Sequence, residues 1–195
     1  MRTMSIILVS TLVAIAIGIP TGIAMARSDR IQRIVTPLLD VMQTMPAFVY
    51  LIPVVMLLGI GKIPGVIAVV IYAVPPVIRL TNLGIRLVDE EVLEAATAYG
   101  ASPKQRLFGV QIPLAMPNIM AGINQTIMMA LAMVVIASMI GVKGLGQPVL
   151  KSITNQYFTL GLLNGLAIVA LAIIFDRISQ SYAQRSQQHL GGTPK

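Results

Sequence analysis

Cysteine is missing from this sequence, and histidine occurs once, as His189 in a polar C-terminal segment. A chain without cysteine has neither a disulfide framework nor a thiolate metal site, and one isolated histidine does not make a zinc centre. We therefore expect no cofactor and no metal site. Charged residues make up only 11% of the chain and hydrophobic residues 56%, with a mean hydropathy of +0.84. This composition excludes a soluble domain and indicates a polytopic membrane protein.

Acidic residues are also scarce, since 7 of them face 14 lysines and arginines. In a soluble chain this excess would suggest nucleic-acid binding. Here the cations flank hydrophobic runs and no basic patch is interleaved with aromatic residues, so no nucleic-acid partner is expected. A phosphate-binding loop of the form Gly-x-x-x-x-Gly-Lys-Ser/Thr is missing as well, and the glycines between Gly141 and Gly146 lack its spacing. The chain is not expected to be an enzyme, and we interpret those glycines as a flexible external turn or a gate-adjacent segment.

The long hydrophobic runs predict about five transmembrane helices in a single all-α domain, residues 1–195, at roughly 20 residues per crossing. Pro75 and Pro76 are expected to break the third run. Pro113 and Pro117 are expected to divide the longest one into a short amphipathic entry and the fourth span. The predicted spans cover residues 3–26, 38–60, 63–83, 118–141 and 160–175, and a polar tail covers residues 177–195.

The positions of the cations predict the orientation. If the polar stretch at residues 89–113 is cytoplasmic, ten of the 14 lysines and arginines lie on the cytoplasmic side and four outside. This bias follows the positive-inside rule and predicts an external N-terminus and a cytoplasmic C-terminus. Glycines spaced four apart, at Gly18 and Gly22 and at Gly161 and Gly165, predict close helix packing.

The polar stretch at residues 89–113 has signals for two short helices joined by a turn. Asp89 is placed to cap the first helix, and Gly100 suits the position after its end. Ser102 followed by Gln105 reads as a capping box that starts the second helix. The first helix has an apolar face that includes small residues: Val92, Leu93, Ala95, Ala96 and Tyr99. Periodicity alone fits an ordinary amphipathic loop at the membrane surface equally well.

Residue spacing favours a docking loop over an ordinary amphipathic loop. The residues concerned are Glu94, Ala95, Ala96, Gly100, Val110 and Pro113. Their spacing resembles the cytoplasmic coupling loop of permease subunits in bacterial binding-protein-dependent ABC importers, with Ile112 in place of the usual leucine. The segments MQTMPAFVYLIPVVMLLGIGKIPGV, NQTIMMALAMVVIASMIG and KGLGQPVL are further similar to permeases of glycine betaine and proline betaine uptake systems. The resemblance covers about residues 30–181.

This resemblance implies the core fold of a type I ABC importer permease in the bacterial inner membrane. It implies ATP-driven import of a quaternary-ammonium osmoprotectant, with ATP hydrolysed on a separate cytosolic ABC ATPase. The other implied partners are a periplasmic or lipid-anchored solute-binding protein, a second permease copy and membrane lipid. The coupling helix is expected at residues 94–102, in a groove of the ATPase. Glu94 would either pair with a basic group there or cap backbone within the loop, and Ser102 belongs to the same loop.

Polar residues inside apolar runs are the candidates for the solute pathway, because placing them in lipid costs free energy. Interhelical hydrogen bonds, worth on the order of 1 kcal/mol each, are their alternative role. An uncharged lining suits a zwitterion. The absence of tryptophan and the scatter of the nine tyrosines and phenylalanines place high-affinity cation recognition on a separate binding protein. The candidate pathway residues are Gln43, Thr44, Asn124, Gln125 and Thr126.

Other readings stay open at this level. The solute is glycine betaine or proline betaine, or alternatively choline, carnitine or another small solute. The permease pair is a homodimer or a heterodimer, and further spans before Met1 are compatible with the pattern. A stand-alone secondary carrier needs an intramembrane acid, and the candidate is Asp40 near a cytosolic end. A membrane scaffold without transport has no need for prolines and polar residues in mid-span.

Overall fold

The computed structural model describes residues 2–138, 141, 144 and 146–188. All regular structure in these residues is helical. In chain order it consists of α1 (Arg2–Arg27), α2 (Asp29–Thr44), α3 (Ala47–Leu58), α4 (Lys62–Arg86), α5 (Glu90–Ala98), α6 (Pro103–Arg106), a π-helical segment (Leu107–Gln111), α7 (Ile112–Ala137), α8 (Gly146–Thr154) and α9 (Phe158–Gln188).

Helix α4 is the centre of the bundle and packs against both α1 and α7. Gly18 faces Val77 and Gly22 faces Thr81. The order is the same along α1 and α4, so these two helices run parallel. Gly122 of α7 lies against the backbone of Val77, while Gly84 lies against Asn118, so α7 runs antiparallel to α4. Buried side chains of α1, α2 and α4 form one core cluster, which includes Met25, Leu39 and Val77, and Ile123 of α7 packs against it.

Glycine allows this close approach. A Cβ atom added to Gly22 would lie 2.6 Å from Cβ of Thr81 and 2.8 Å from the backbone oxygen of Ile78. The predicted close packing at Gly18 and Gly22 is therefore confirmed. The second predicted pair is half wrong, because a Cβ added to Gly161 would lie 3.1 Å from Cβ of Ser152, whereas one added to Gly165 would have nothing within 4 Å.

The predicted second span, residues 38–60, is not one straight helix. It corresponds to α2 and α3, whose axes are bent by 98° at a short break. Pro46 lies at this break and has no N–H, so the carbonyl of Met42 loses the partner it would have in a continuing helix. The hydroxyl of Tyr50 donates to that carbonyl instead. The bend thus satisfies the backbone group that the proline leaves free.

The predicted interruptions at the other prolines do not occur. Pro75 and Pro76 lie fully buried inside the continuous helix α4. A helix also runs without a break from Pro103 to Ala137, so Pro113 and Pro117 do not separate an entry segment from the fourth span. Packing against neighbouring helices holds each proline in helical geometry. Ahead of Pro113 the helix widens into the π-helical segment, where the amide of Ile112 donates to the carbonyl of Leu107.

The C-terminal part also differs from the prediction. The short helix α8 was not expected. Helix α9 continues to Gln188, well past the predicted end of the fifth span at residue 175 and into the predicted polar tail. The predicted glycine turn and the end of the fourth span fall partly outside the described residues. By length and composition, the described part has four helices that could cross a membrane, or five if the bent pair α2–α3 counts as one span.

Candidate coupling surface and polar pathway

The segment between α4 and α7 begins with a capped helix. The carboxylate of Asp89 accepts a hydrogen bond from the amide of Glu91 at 3.0 Å, and Glu90 and Glu91 lie in the first turn of α5, where the helix dipole favours negative charge. The predicted N-terminal cap is confirmed. The helix ends earlier than expected, because α5 covers Glu90–Ala98 and not residues 94–102.

The turn after α5 depends on Gly100. Its φ angle is +79°, in the left-handed region that favours glycine, and its amide donates to the carbonyl of Thr97 at 2.9 Å. The amide of Ala101 donates to the carbonyl of Ala96 at 3.1 Å. Together these bonds close the end of the helix, as predicted from the position of Gly100.

The capping box that follows is also confirmed. The hydroxyl of Ser102 accepts from the amide of Gln105 at 3.4 Å, and the Gln105 side chain accepts from the amide of Ser102 at 2.9 Å. The helix that it starts is not a separate second surface helix, because α6 continues through the π-helical segment into α7. The segment that carries α5 is therefore joined directly to the helix that carries Asn124, Gln125 and Thr126. Pro113 lies within the first residues of α7.

Helix α5 projects from the bundle with no buried residue. Tyr99 is 93% exposed, and Val92 on the expected apolar face is 41% exposed. The side-chain link between α5 and the next helix is a hydrogen bond of 3.2 Å from Nη1 of Arg106 to the hydroxyl of Thr97. The described residues leave the apolar face of this short helix largely exposed, so it is available to a partner.

Glu94 is exposed and borders a groove that it shares with five neighbouring residues. Its carboxylate takes part in no hydrogen bond or ion pair within the described residues, and the cap of α5 is supplied by Asp89. The expectation that Glu94 caps backbone within the loop is wrong. The groove is lined by Glu90, Leu93, Glu94, Thr97, Ala98 and Arg106.

The candidate pathway residues do not form one cluster. Thr126 is fully buried in α7 with no partner for its hydroxyl, whereas Gln125 is exposed. Gln43 and Thr44 are exposed at the end of α2, and the Thr44 hydroxyl donates to the Val41 carbonyl at 3.0 Å. Within the part of the chain that the structure describes, no hydrogen bond joins these two residues to the polar residues of α7.

Asn124 is the member of this set with a partner on another helix. Its amide nitrogen donates to the carboxylate of Asp176 on α9 at 2.9 Å, and the other carboxylate oxygen accepts from Gln180 at 2.7 Å. The sequence analysis ended the fifth span at residue 175, just before Asp176, and gave Asp176 no role. Its position one helix turn from polar Gln180 was the available signal, but nothing in the sequence indicated that α9 packs on α7 there.

Two ion pairs fix α2 to α4. Arg79 pairs with Asp40, and Arg86 pairs with Asp29 at 2.6 Å while also donating to the carbonyl of Met25 at 3.0 Å. Arg86 therefore joins α1, α2 and α4 at one end of the bundle. Asp40, the acid considered for an ion-coupled carrier, is paired with a cation.

A bundle of apolar helices with one short, capped and unburied helix between its spans has the architecture of a multi-pass membrane protein. Residues 18–188 match the family of binding-protein-dependent transport system inner membrane components. The match covers most of the chain, and the chain belongs to this family. It is an inner-membrane ABC permease domain by family membership.

Two relatives specify the similarity further. The chain is 56% identical over 187 residues to the glycine betaine/proline betaine transport system permease protein ProW of Escherichia coli, covering 96% of this chain and 53% of that protein. It is 52% identical over 186 residues to the glycine betaine/carnitine transport permease protein GbuB of Listeria monocytogenes, covering 95% of this chain and 66% of that protein. The chain thus spans about half to two thirds of the length of these relatives.

A solved structure has the same fold. A chain of the MetNI methionine ABC transporter, in an inward-facing conformation, superposes with a TM-score of 0.85 at 19% identity, covering 95% of this chain and 93% of that chain. The predicted fold class, an all-α type I ABC importer permease core, is confirmed.

Proposed function

We propose that this chain is the membrane-spanning subunit of an ATP-driven importer for a quaternary-ammonium osmoprotectant of the glycine betaine and proline betaine class. The observation that carries this proposal is helix α5, which is capped at its start, closed at its end by Gly100 and buried nowhere. A helix with this geometry, joined at its end to a helix of the bundle, has the form of a docking element for a second protein.

The chain offers a direct mechanical path from this element to the bundle. Residues 94–100 of the docking segment are linked to the next helix by Thr97 and Arg106, and that helix continues to Ala137. A rigid-body movement imposed on α5 would therefore tilt α7, which packs closely on α4 through Gly84 and Gly122. Packed helices with glycine contacts transmit such a movement because they resist compression.

Helix α7 also carries the polar residues proposed to border the pathway, Asn124, Gln125 and Thr126. The hydroxyl of Thr126 is buried without a partner, and so is Oδ1 of Asn124. Unsatisfied polar atoms in a membrane helix are costly, which supports a role in contact with water or solute during transport. Gln43 and Thr44 are proposed to join them only when a second permease copy completes the path.

The solute class rests on the relatives, whose names include glycine betaine, proline betaine and carnitine. The proposed partners are a cytosolic ABC ATPase on α5, a solute-binding protein on the opposite face and a second copy of the permease, with α5 facing the cytosol. The homodimer, the orientation with an external N-terminus and the choice of solute are parts of this proposal. A stand-alone carrier is disfavoured because Asp40 pairs with Arg79 and Asp176 is hydrogen-bonded to Asn124 and Gln180.

Uptake measured in cells that lack other betaine transporters tests the proposal. The chain is co-expressed, within its full-length protein, with the proposed ATPase and binding-protein partners, and uptake of radiolabelled glycine betaine, proline betaine, choline and carnitine is compared. We expect uptake of the two betaines to depend on all three components. Uptake that survives loss of the ATPase would contradict an ATP-driven importer, and uptake of choline alone would move the solute to the alternative class.

A further inference from the structure

A small cavity with two arginines in its wall lies where α1 ends and the helix beginning at Pro103 starts. It has a volume of about 300 Å³ and is lined by Ala26, Arg27, Ile85, Arg106, Leu107 and Gln111 among others. Arg27 is the first charged residue after the uncharged run of α1. The cavity is therefore at the level where the apolar bundle meets water.

The positive charge in this cavity has no carboxylate partner among the residues that the structure describes. Among the described residues, neither Arg27 nor Arg106 has a carboxylate oxygen within 4.0 Å, since the two ion pairs there join Asp40 to Arg79 and Asp29 to Arg86. Nε of Arg106 is buried and has no hydrogen-bond partner. A guanidinium N–H that is shielded from water and unpaired is costly, and an anion in the cavity would remove that cost.

The acidic residues close to Arg106 do not line the cavity. Glu90 and Glu94 border the neighbouring groove on α5, which Arg106 also touches, but neither lines the cavity. Arg106 uses Nη1 for the hydroxyl of Thr97. Two guanidinium groups and the amide of Gln111 together offer several N–H donors to one ligand, a set that matches the oxygens of a phosphate group.

Part of the cavity wall is apolar. Ala26, Ile85 and Leu107 line it beside the two arginines. An apolar wall does not stabilise bound free phosphate, whereas it stabilises a phospholipid through contact with the glycerol and acyl chains. Basic pockets between membrane helices bind lipid head groups for this reason.

We propose that this cavity binds a phosphate group, and that the phosphodiester of an anionic membrane lipid is its source. Arg27 and Arg106 hold the phosphate oxygens. The apolar part of the wall, at Ala26, Ile85 and Leu107, contacts the glycerol and acyl chains of the lipid. Because Arg106 is also hydrogen-bonded to α5 through Thr97, the bound lipid sits directly behind the exposed helix. The site does not depend on the proposed transport function.

The test measures lipid binding to the purified chain in detergent. Native mass spectrometry records binding of dioctanoyl phosphatidylglycerol, of dioctanoyl phosphatidylcholine and of inorganic phosphate. The pocket variant is Arg27→Gln with Arg106→Gln, in which the glutamine keeps an N–H donor for Thr97. The matched control is Arg30→Gln with Arg33→Gln, which removes the same charge from two exposed arginines of α2 outside the cavity. Circular dichroism and gel filtration verify that both variants fold.

We expect phosphatidylglycerol to bind about tenfold more tightly than phosphatidylcholine, with this preference lost in the pocket variant and kept within twofold in the control. Binding of inorganic phosphate as tightly as the lipid, if lost in the pocket variant, would keep the site but assign it to a free anion. Equal losses in both variants would overturn the proposal in favour of general attraction to basic residues. Loss of ATPase co-purification in the pocket variant, without any lipid preference in the wild type, would overturn it in favour of a protein contact. If the pocket variant does not fold, Arg27→Lys with Arg106→Lys replaces it, and that pair is expected to weaken binding by less than the glutamines do.

Discussion

The amide of Asn124 on α7 donates to the carboxylate of Asp176 on α9 across 2.9 Å, and this bond joins residues 52 positions apart in the chain. The other hydrogen bonds of the described α9 side chains lie within α9 itself, and much of its apolar surface is exposed. The bond therefore fixes the position of α9 along α7 in a way that apolar packing alone does not.

Replacing Asn124 by leucine should destabilise the bundle, because the half-buried carboxylate of Asp176 loses its donor on α7. Hydrogen bonds to charged groups contribute about 1.5–3 kcal/mol, and we expect a loss at the lower end, since Gln180 still donates to the other oxygen. Thermal unfolding in detergent, followed by circular dichroism, measures the change. Asp176→Asn is the matched variant, because it can keep an amide-to-amide bond and should cost less. An equal loss in both variants would contradict the role of the carboxylate.

The contact between Gly22 and Thr81 predicts a much larger effect. A side chain at Gly22 meets the backbone oxygen of Ile78 at 2.8 Å, and backbone in a packed helix cannot move aside. We expect Gly22→Leu to abolish the folded, monodisperse protein, with a cost above about 3 kcal/mol. Gly165→Leu is the control, since nothing lies within 4 Å of a Cβ there. Gel filtration of the two variants measures this difference. A folded, monodisperse Gly22→Leu protein would refute the close packing of α1 on α4.

The sequence predicted helix caps and turns correctly, but it did not predict where helices bend. Caps and turns depend on neighbouring residues, so Asp89, Gly100 and Ser102 were identified from spacing. Prolines depend on what surrounds them. Pro46 accompanies a 98° bend, whereas Pro75 and Pro76 lie inside a continuous helix, and no local signal separates the two cases. The partner of Asn124 was likewise out of reach, because it requires knowing that α9 packs on α7.

The bend between α2 and α3 gives a further prediction at Tyr50. Its hydroxyl donates to the carbonyl of Met42, which Pro46 leaves without a helical partner. Tyr50→Phe keeps the ring contact with Tyr72 and removes only this bond, so we expect a loss of about 1–2 kcal/mol in thermal unfolding. Tyr157→Phe, at a ring that is 59% exposed, removes a hydroxyl with no such role and should be neutral. Equal stability of the two variants would argue that water satisfies the Met42 carbonyl instead.

Gly100 connects local geometry to the proposed function. Its φ angle of +79° is strained for most residues with a side chain, yet nothing lies within 4 Å of an added Cβ. A substitution there therefore acts through the backbone and not through a clash. A β-branched residue cannot adopt this angle without a cost of about 1–2 kcal/mol, whereas asparagine tolerates it. Gly100→Val should redirect the chain after α5 and misplace the helix relative to the bundle.

We accordingly expect Gly100→Val to insert into the membrane at the wild-type level but to retain several-fold less ATPase on co-purification, and Gly100→Asn to retain nearly all of it. Gly109→Ala provides the control, because Gly109 also has open space around it and lies in the π-helical segment with no positive φ angle. Full ATPase retention by Gly100→Val would remove α5 as the docking element. Reduced retention in all three variants would show that the segment tolerates no change, and the left-handed turn would then have no special role. If only Gly100→Val loses ATPase retention, ATPase binding depends on the chain direction that the left-handed turn at Gly100 sets.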